Sequence, residues 1–259
     1  MLTFKKARLV FLIAFIFATV EYFTIGFPWY YLVQIPILYS LLLAVGSAFI
    51  GLGFFIKSIC KAETNEKIIS LTFDDGPEII NTPILLDLLK SHQLKATFFI
   101  IGKKIKGNET ILKRIKEEGH IVANHSFSHS YFYDIYSTKK VVIDLLLTNA
   151  AIKEAIGLTP KLFRPPYGVT NPNIMRAVKK LNLTSIGWNV RSLDTIIQDP
   201  EKLYKRVTSR IKPGSILLFH DTGANTLETL KEIILFTQKS GYKIVGLDEL
   251  LKIKVYEEL

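Results

Sequence analysis

Charge is missing from most of the first fifth of the chain. Between Leu9 and Ile56 the only charged side chain is Glu21, out of 259 residues in all. So long an apolar run excludes a soluble core helix and exceeds the apolar region of a secretory signal. Cysteine is nearly absent too. Cys60 stands alone, so no internal disulfide forms and the redox compartment is left open. Lys57-Ser58-Ile59 before it lacks the small residues that usually precede a lipid-modified cysteine. Internal repeats and low-complexity tracts are lacking, which excludes solenoids and arrays. There is also no basic stripe. The 33 Lys and Arg that give a formal charge of +10 and a pI near 9.5 are scattered among 23 acids. That argues against nucleic acid as a partner and for a solvated or membrane-proximal surface.

What the first segment does contain suits lipid. Two apolar stretches, about 9–27 and 35–56, are each long enough to span a bilayer, with Glu21 near the interface. Between them Gly26-Phe27-Pro28-Trp29-Tyr30-Tyr31 combines a turn with the Trp and Tyr that favour the interface. The reading is a transmembrane helical hairpin, residues 1–61, followed by a globular domain at 62–259. The alternative is a cleaved signal followed by one anchor, and no small-x-small site follows the first run cleanly. Lys5, Lys6 and Arg8 before the first span, and Lys57, Lys61 and Lys67 after the second, place both flanks in the cytoplasm by the positive-inside rule. A single anchor would instead leave the domain outside.

Beyond residue 64 strand-like runs alternate with amphipathic stretches, the pattern of repeated β/α units. With 49% hydrophobic residues, a core is readily buried. Lys67 to Phe73 reads as a strand whose tip carries Asp74 and Asp75 before Gly76-Pro77. Helices are expected at Pro83 to Ser91, around Ile111 to Ile115, and from Val141 to Ile156 with Gly157 as C-cap. Strands are expected at Ala96 to Ile101, Ile121 to Ala123, Leu162-Phe163, Ser185 to Val190 and Ile216 to Phe219. Polar residues recur at the strand ends, where a parallel barrel places its active site.

Two neighbouring carboxylates repel unless a cation or a shared proton intervenes. His125 and His129, four apart, allow two imidazoles to reach one metal, and Asp75 adds a third ligand. Two imidazoles and a carboxylate with an open position make a hydrolytic site, because a divalent cation lowers the pKa of a bound water toward ~7 and polarises a carbonyl. Asp74 then suits the general base and His220 the general acid, with Arg164 holding Asp74 ionised and Asp194 orienting His220. The backbone near Tyr167 suits an oxyanion. Taken singly, each has an ordinary role: Arg164 in an ion pair, Asp194 as a cap, Tyr167 in packing.

Thr72-Phe73-Asp74-Asp75-Gly76, His125-Ser126-Phe127-Ser128-His129, Arg164-Pro165-Pro166-Tyr167-Gly168 and Leu218-Phe219-His220 resemble, in order, the motifs of the polysaccharide deacetylases, carbohydrate esterase family 4. The resemblance covers about Lys67 to Leu251. It implies a distorted (β/α) barrel of about seven strands and one divalent metal, most commonly Zn, with Co, Ni or Mn as substitutes. It further implies hydrolysis of an N-acetyl group on an amino sugar, in a cell-envelope glycan such as peptidoglycan, a chitin-like polymer or an exopolysaccharide, or in its lipid-linked precursor. By resemblance Asp75, His125 and His129 are the metal ligands, Asp74 the base and His220 the acid. Tyr167 and Pro166 contact the oxyanion or substrate, and Leu218 lines the acetyl pocket. The usual substrates of the family favour an extracytoplasmic domain, against the charge rule. One motif departs: Arg191-Ser192-Leu193-Asp194-Thr195 keeps the second Asp of Asp-x-x-Asp-Trp but not the first Asp or the Trp. That bears on the sugar groove, where Trp188 is a candidate substitute. A deformylase of a lipid-linked sugar and a non-catalytic glycan-binding membrane protein are the other readings.

Overall fold

The uncharged run folds into two antiparallel helices, α1 (Phe4–Ile25) and α2 (Tyr30–Ala48). Gly26 ends α1 with φ +74, the left-handed conformation that costs glycine least, and its N–H donates to the Glu21 carbonyl. At 22 and 19 residues both are long and apolar enough to cross a bilayer. They begin earlier than the apolar runs suggest, and α2 stops eight residues before Ile56. There the chain folds back, and a Cβ at Gly46 would lie 2.3 Å from the Phe54 ring, so only glycine admits this return. The Phe4 N–H donates to the Phe54 carbonyl (2.9 Å), tying the open end of the hairpin together.

The computed structural model describes residues 2–258, with the side chains of Ala224 and Asn225 excepted. Beyond the hairpin, strands and helices alternate: β1 (Ile68–Gly76), α3 (Asn81–Ser91), β2 (Ala96–Ile100), α4 (Glu109–Glu117), β3 (Ile121–Asn124), α5 (Thr138–Ile156) and β4 (Leu162–Phe163). Then come α6 (Pro172–Lys180), β5 (Thr184–Ser185), β6 (Val190–Arg191), α7 (Pro200–Thr208), β7 (Ile216–His220), α8 (Ala224–Lys239), β8 (Lys243–Ile244) and α9 (Leu247–Leu251). The curled sheet runs β5-β4-β3-β2-β1-β7-β6, all parallel, with β8 added at the base of β1.

Alternation along β1 sorts its side chains between two environments. Ile69, Leu71 and Phe73 face the helices and join the core with Phe98 and Phe219, at ring-centroid distances of 5.2 and 6.0 Å from Phe73. Ser70, Thr72 and Asp74 take the other face and are buried as well.

The apolar run Ser185 to Val190, read from sequence as one strand, forms both edges of the sheet instead. The Ile186 N–H donates to Phe163 O in β4 (2.8 Å), and the Asn189 N–H to Ile216 O in β7 (3.3 Å). One extended stretch, bending at Asn189, thus joins the two edges and closes the distorted barrel. The segment leading in from the hairpin lies along the same seam. Ile59 bridges Ile186, Lys61 bridges Ser215, and the Ala62 N–H donates to Gly214 O (2.8 Å). Cys60 Sγ occupies the space a Cβ at Gly187 would need, 2.5 Å away.

Candidate metal centre and catalytic cleft

β1 carries both aspartates, and a register shift between Asp74 and Gly76 marks a bulge centred on Asp75, whose φ is +74. In a regular strand the two carboxylates would face opposite sides of the sheet; the bulge turns both into one cleft. The loop after β3 brings in the imidazoles. Ser126 (φ +66) and His129 (φ +43) are also left-handed, as are Tyr167 (φ +59) after β4 and Leu193 (φ +64) after β6. Such conformations in residues with a Cβ concentrate where surrounding structure imposes them, commonly at functional sites.

Asp75 Oδ1 stands 3.4 Å from His125 Nε2 and 3.2 Å from His129 Nε2, and all three ligand atoms lie within 4.8 Å of one another. Asp75 Oδ1 is buried without a hydrogen-bond partner among the described residues. His125 Nδ1 lies 2.9 Å from the Arg164 carbonyl, which only accepts, so Nδ1 carries the proton and Nε2 keeps its lone pair. Three electron-rich atoms converging around a partnerless buried carboxylate oxygen fit a divalent cation. Without a cation, burial would raise the Asp75 carboxyl, but the close approach of His125, with the charge that His125, His129 and His220 carry when protonated, holds it well below the usual range. Burial, aided by the neighbouring His125, pushes His129 down to about 4.

Arg164, fully buried inside the barrel, donates from Nη1 to Asp74 Oδ1 (2.6 Å) and Thr72 Oγ1 (2.8 Å). Its Nη2 donates to Gly187 O (2.9 Å), and the guanidinium lies 4.0 Å above the Phe99 ring. A buried guanidinium is tolerable only with such partners. This one occupies Asp74 Oδ1 and leaves Oδ2 toward His125 Nε2, 3.8 Å away. Across the cleft, His220 Nδ1 donates to Asp194 Oδ1 (2.8 Å), and the His220 N–H to Asp194 Oδ2 (2.8 Å). Ser192 and Thr226 hydroxyls complete the Asp194 carboxylate. Burial opposes protonation of His220, but the hydrogen bond and charge of Asp194, with Asp74 and Asp75, raise its pKa above the ordinary imidazole value.

The cleft, about 280 Å³, gathers Asp74, Asp75, His125, His129 and His220 with Tyr167 and Leu218. Pro166 is buried in the loop beneath Tyr167. At the divergent fourth motif, Arg191, Thr195 and Trp188 all line the mouth. Trp188 packs so close to Gly168 that a Cβ there would meet its ring at 2.5 Å.

Some supporting residues escape sequence reading. Asp144, buried on α5, accepts from the Phe127 and Ser128 N–H groups (2.6 and 3.1 Å), and Asn124 Oδ1 accepts from the Ser126 N–H (2.8 Å). The available signal was a carboxylate on the apolar face of a helix, where Asp is rare unless partnered. Asp221, next to His220, accepts from Thr82 Oγ1 (2.6 Å), and burial pushes its carboxyl up to about 7.

Residues 61–186 match the polysaccharide deacetylase family. The chain is 36% identical over 195 residues to the peptidoglycan-N-acetylglucosamine deacetylase PgdA of Listeria monocytogenes, covering 75% of this chain but only 41% of that protein. Among solved structures, the Bc1960 peptidoglycan N-acetylglucosamine deacetylase superposes with a TM-score of 0.74 at 28% identity, over 77% of this chain and 95% of that one. A family 4 acetyl xylan esterase from Clostridium thermocellum, in complex with a cobalt ion, superposes with a TM-score of 0.66 at 34% identity, over 71% and 90% of the two chains.

Proposed function

The chain belongs to the polysaccharide deacetylase family, carbohydrate esterase family 4, and on that premise we propose that it is a membrane-anchored, metal-dependent hydrolase. Its reaction would remove the N-acetyl group from an amino sugar of a cell-envelope glycan or its precursor, releasing acetate and leaving a free amine. The observation that carries this reading is the convergence of Asp75, His125 and His129 beside an arginine-held Asp74 and an aspartate-held His220.

Asp75, His125 and His129 would hold one divalent cation, zinc as the first choice and cobalt, nickel or manganese as alternatives. When bound, the cation activates water and polarises the amide carbonyl. Asp74 Oδ2, free of Arg164, takes the proton from the attacking water. His220, protonated on Nε2 and fixed through Nδ1 by Asp194, gives its proton to the departing nitrogen as the C–N bond breaks. The Tyr167 N–H receives charge developing on the carbonyl oxygen, and Leu218 and Pro166 shape the space for the acetyl methyl. Helices α1 and α2 would form the membrane anchor. The side on which the domain lies is decided by a C-terminal reporter active only outside the cytoplasm.

The altered groove at Arg191 and Thr195 favours one second reading, a deformylase acting on a lipid-linked sugar. Mass spectrometry of the zinc-loaded full chain with N-acetylglucosamine oligomers and with peptidoglycan tests both. Loss of one acetyl per sugar, abolished by chelation and by His129→Ala, is the expected result; release of formate from an N-formylated amino sugar added beside them, with no acetyl lost, supports the second reading. Zinc binding without turnover of either substrate would reject a polymeric glycan as the substrate and leave the lipid-linked precursor.

A further inference from the structure

The anchor meets the domain at the rim of the cleft, not at the opposite end of the barrel. The Thr170 N–H donates to the Ser47 carbonyl (3.1 Å), and Ser47 Oγ donates to the Thr170 carbonyl (2.6 Å). Thr170 belongs to the loop that carries Tyr167, and it is buried. One residue on, Asn171 Nδ2 donates to the Asp134 carbonyl in the loop after β3. The last turn of α2, the β4–α6 loop and the β3–α5 loop are thereby tied together at the strands' C-terminal ends.

That end is also where exposed aliphatic and aromatic side chains gather. Ile79 and Ile80, in the loop after β1, are 71% and 70% exposed. Tyr131, Phe132 and Ile135, after β3, are 87%, 66% and 72% exposed, and Ile196, after β6, is 66% exposed. They lie on separate loops around one mouth. Scattered single apolar residues need no explanation, but an apolar ring does. Phe49 and Leu52, both exposed, continue it from α2. Exposed Lys103 and Lys106, between β2 and α4, and Lys139, in the first turn of α5, stand at the same end.

We propose that this rim rests on the lipid bilayer, so that the cleft opens at the membrane interface and takes amino sugars held close to the bilayer. The inference rests on reading α1 and α2 as membrane spans. Lipid is favoured over a glycan as occupant because the ring includes four branched aliphatic residues, Ile79, Ile80, Ile135 and Ile196. Sugar rings stack on aromatics and gain little from such side chains, whereas aliphatic and aromatic residues flanked by lysines suit the acyl–headgroup boundary of an anionic bilayer.

The test is photolabelling of the full chain in phosphatidylcholine–phosphatidylglycerol nanodiscs that carry a photoreactive group on the acyl chain, with adducts mapped by mass spectrometry. Adducts at 79–80, 131–135 and 196, absent from the opposite end at 212–214 and 241, are expected. Labelling confined to residues 4–55, or equal at both ends, overturns the proposal. So does protection of the rim by oligosaccharide in place of labelling by lipid. The readout is position and not turnover, so it stands or falls separately from the deacetylase reading. A Phe132→Ser/Ile135→Ser/Ile196→Ser variant is expected to keep its turnover of soluble N-acetylglucosamine oligomers. On an amino sugar displayed from vesicle-anchored glycolipid its kcat/KM falls by about tenfold or more, a loss of about 1.4 kcal/mol. Equal loss on both substrates, or on neither, counts against the bilayer as partner.

Discussion

Asp194 spends every acceptor position on His220, Ser192 and Thr226, and its charge is what holds the His220 proton in place. Asp194→Asn keeps an acceptor but removes the charge, so the His220 pKa falls toward its ordinary value. Because the proposed reaction needs protonated His220, the alkaline limb of kcat/KM is expected to move to lower pH, with the rate at neutral pH lower by about 10²-fold or more. A pH–rate profile of metal-loaded protein checks this; an unmoved limb rejects His220 as the acid. Asp74→Asn is expected to bind metal as before and lose turnover by a similar factor, measured by calorimetric titration beside acetate release. Asp221 works in the opposite sense. Burial raises its folded pKa from 3.8 to about 7, so between those values the folded state holds a proton that the unfolded chain has released. Stability from this group therefore falls as pH rises from about 4 to 7 and is level above. Asp221→Asn is expected to be more stable than the parent above pH 7 and indistinguishable below pH 4, by thermal unfolding in metal-free buffer.

At the scale of elements, the histidine loop is held from α5. The Asp144 carboxylate satisfies two consecutive N–H groups of 126–129, and Ser137 and Gly157 cap the helix that presents it. Asp144→Ala leaves both N–H groups unpaired at low exposure, which costs about 1–3 kcal/mol per group. The histidines then lose their fixed approach, so metal affinity is expected to fall about 10–100-fold, the usual effect of removing support behind a ligand. Zinc competition with a chromophoric chelator measures it. Unchanged affinity together with lowered stability would limit Asp144 to a folding role.

For the whole molecule, the seam of the barrel raises the question of where the globular domain begins. Ile59, Lys61 and Ala62 pair across Ile186, Ser215 and Gly214, and Cys60 fills the space over Gly187. We place the functional boundary ahead of these residues. A fragment starting at 57 is expected to fold with a sharp thermal transition, whereas one starting at 64 loses these contacts and melts several degrees lower, as a deficit of about 1–2 kcal/mol would produce. Equal melting temperatures would show the segment to be a passive linker.

Composition and pattern by themselves determined the apolar hairpin, the β/α alternation and the family motifs, because each is written in neighbouring residues: a run without charge, a period of 2 or 3.6, a carboxylate at a strand end. The functional residues proposed here stand where those motifs do, since strands deliver them directly to one end of a parallel sheet. Tertiary structure decided what depends on distant partners. The stretch from Ser185 to Val190 has the composition of one strand, yet it pairs with β4 at one end and β7 at the other, and only closure of the barrel brings those edges within reach. Adjacent aspartates belong on opposite faces until a bulge, imposed by pairing with β2, turns Asp75 into the cleft. For Asp144 the chain offers only a carboxylate on an apolar helix face, and for Asp221 nothing, because the burial and the hydrogen-bond partner that give each its role come from packing.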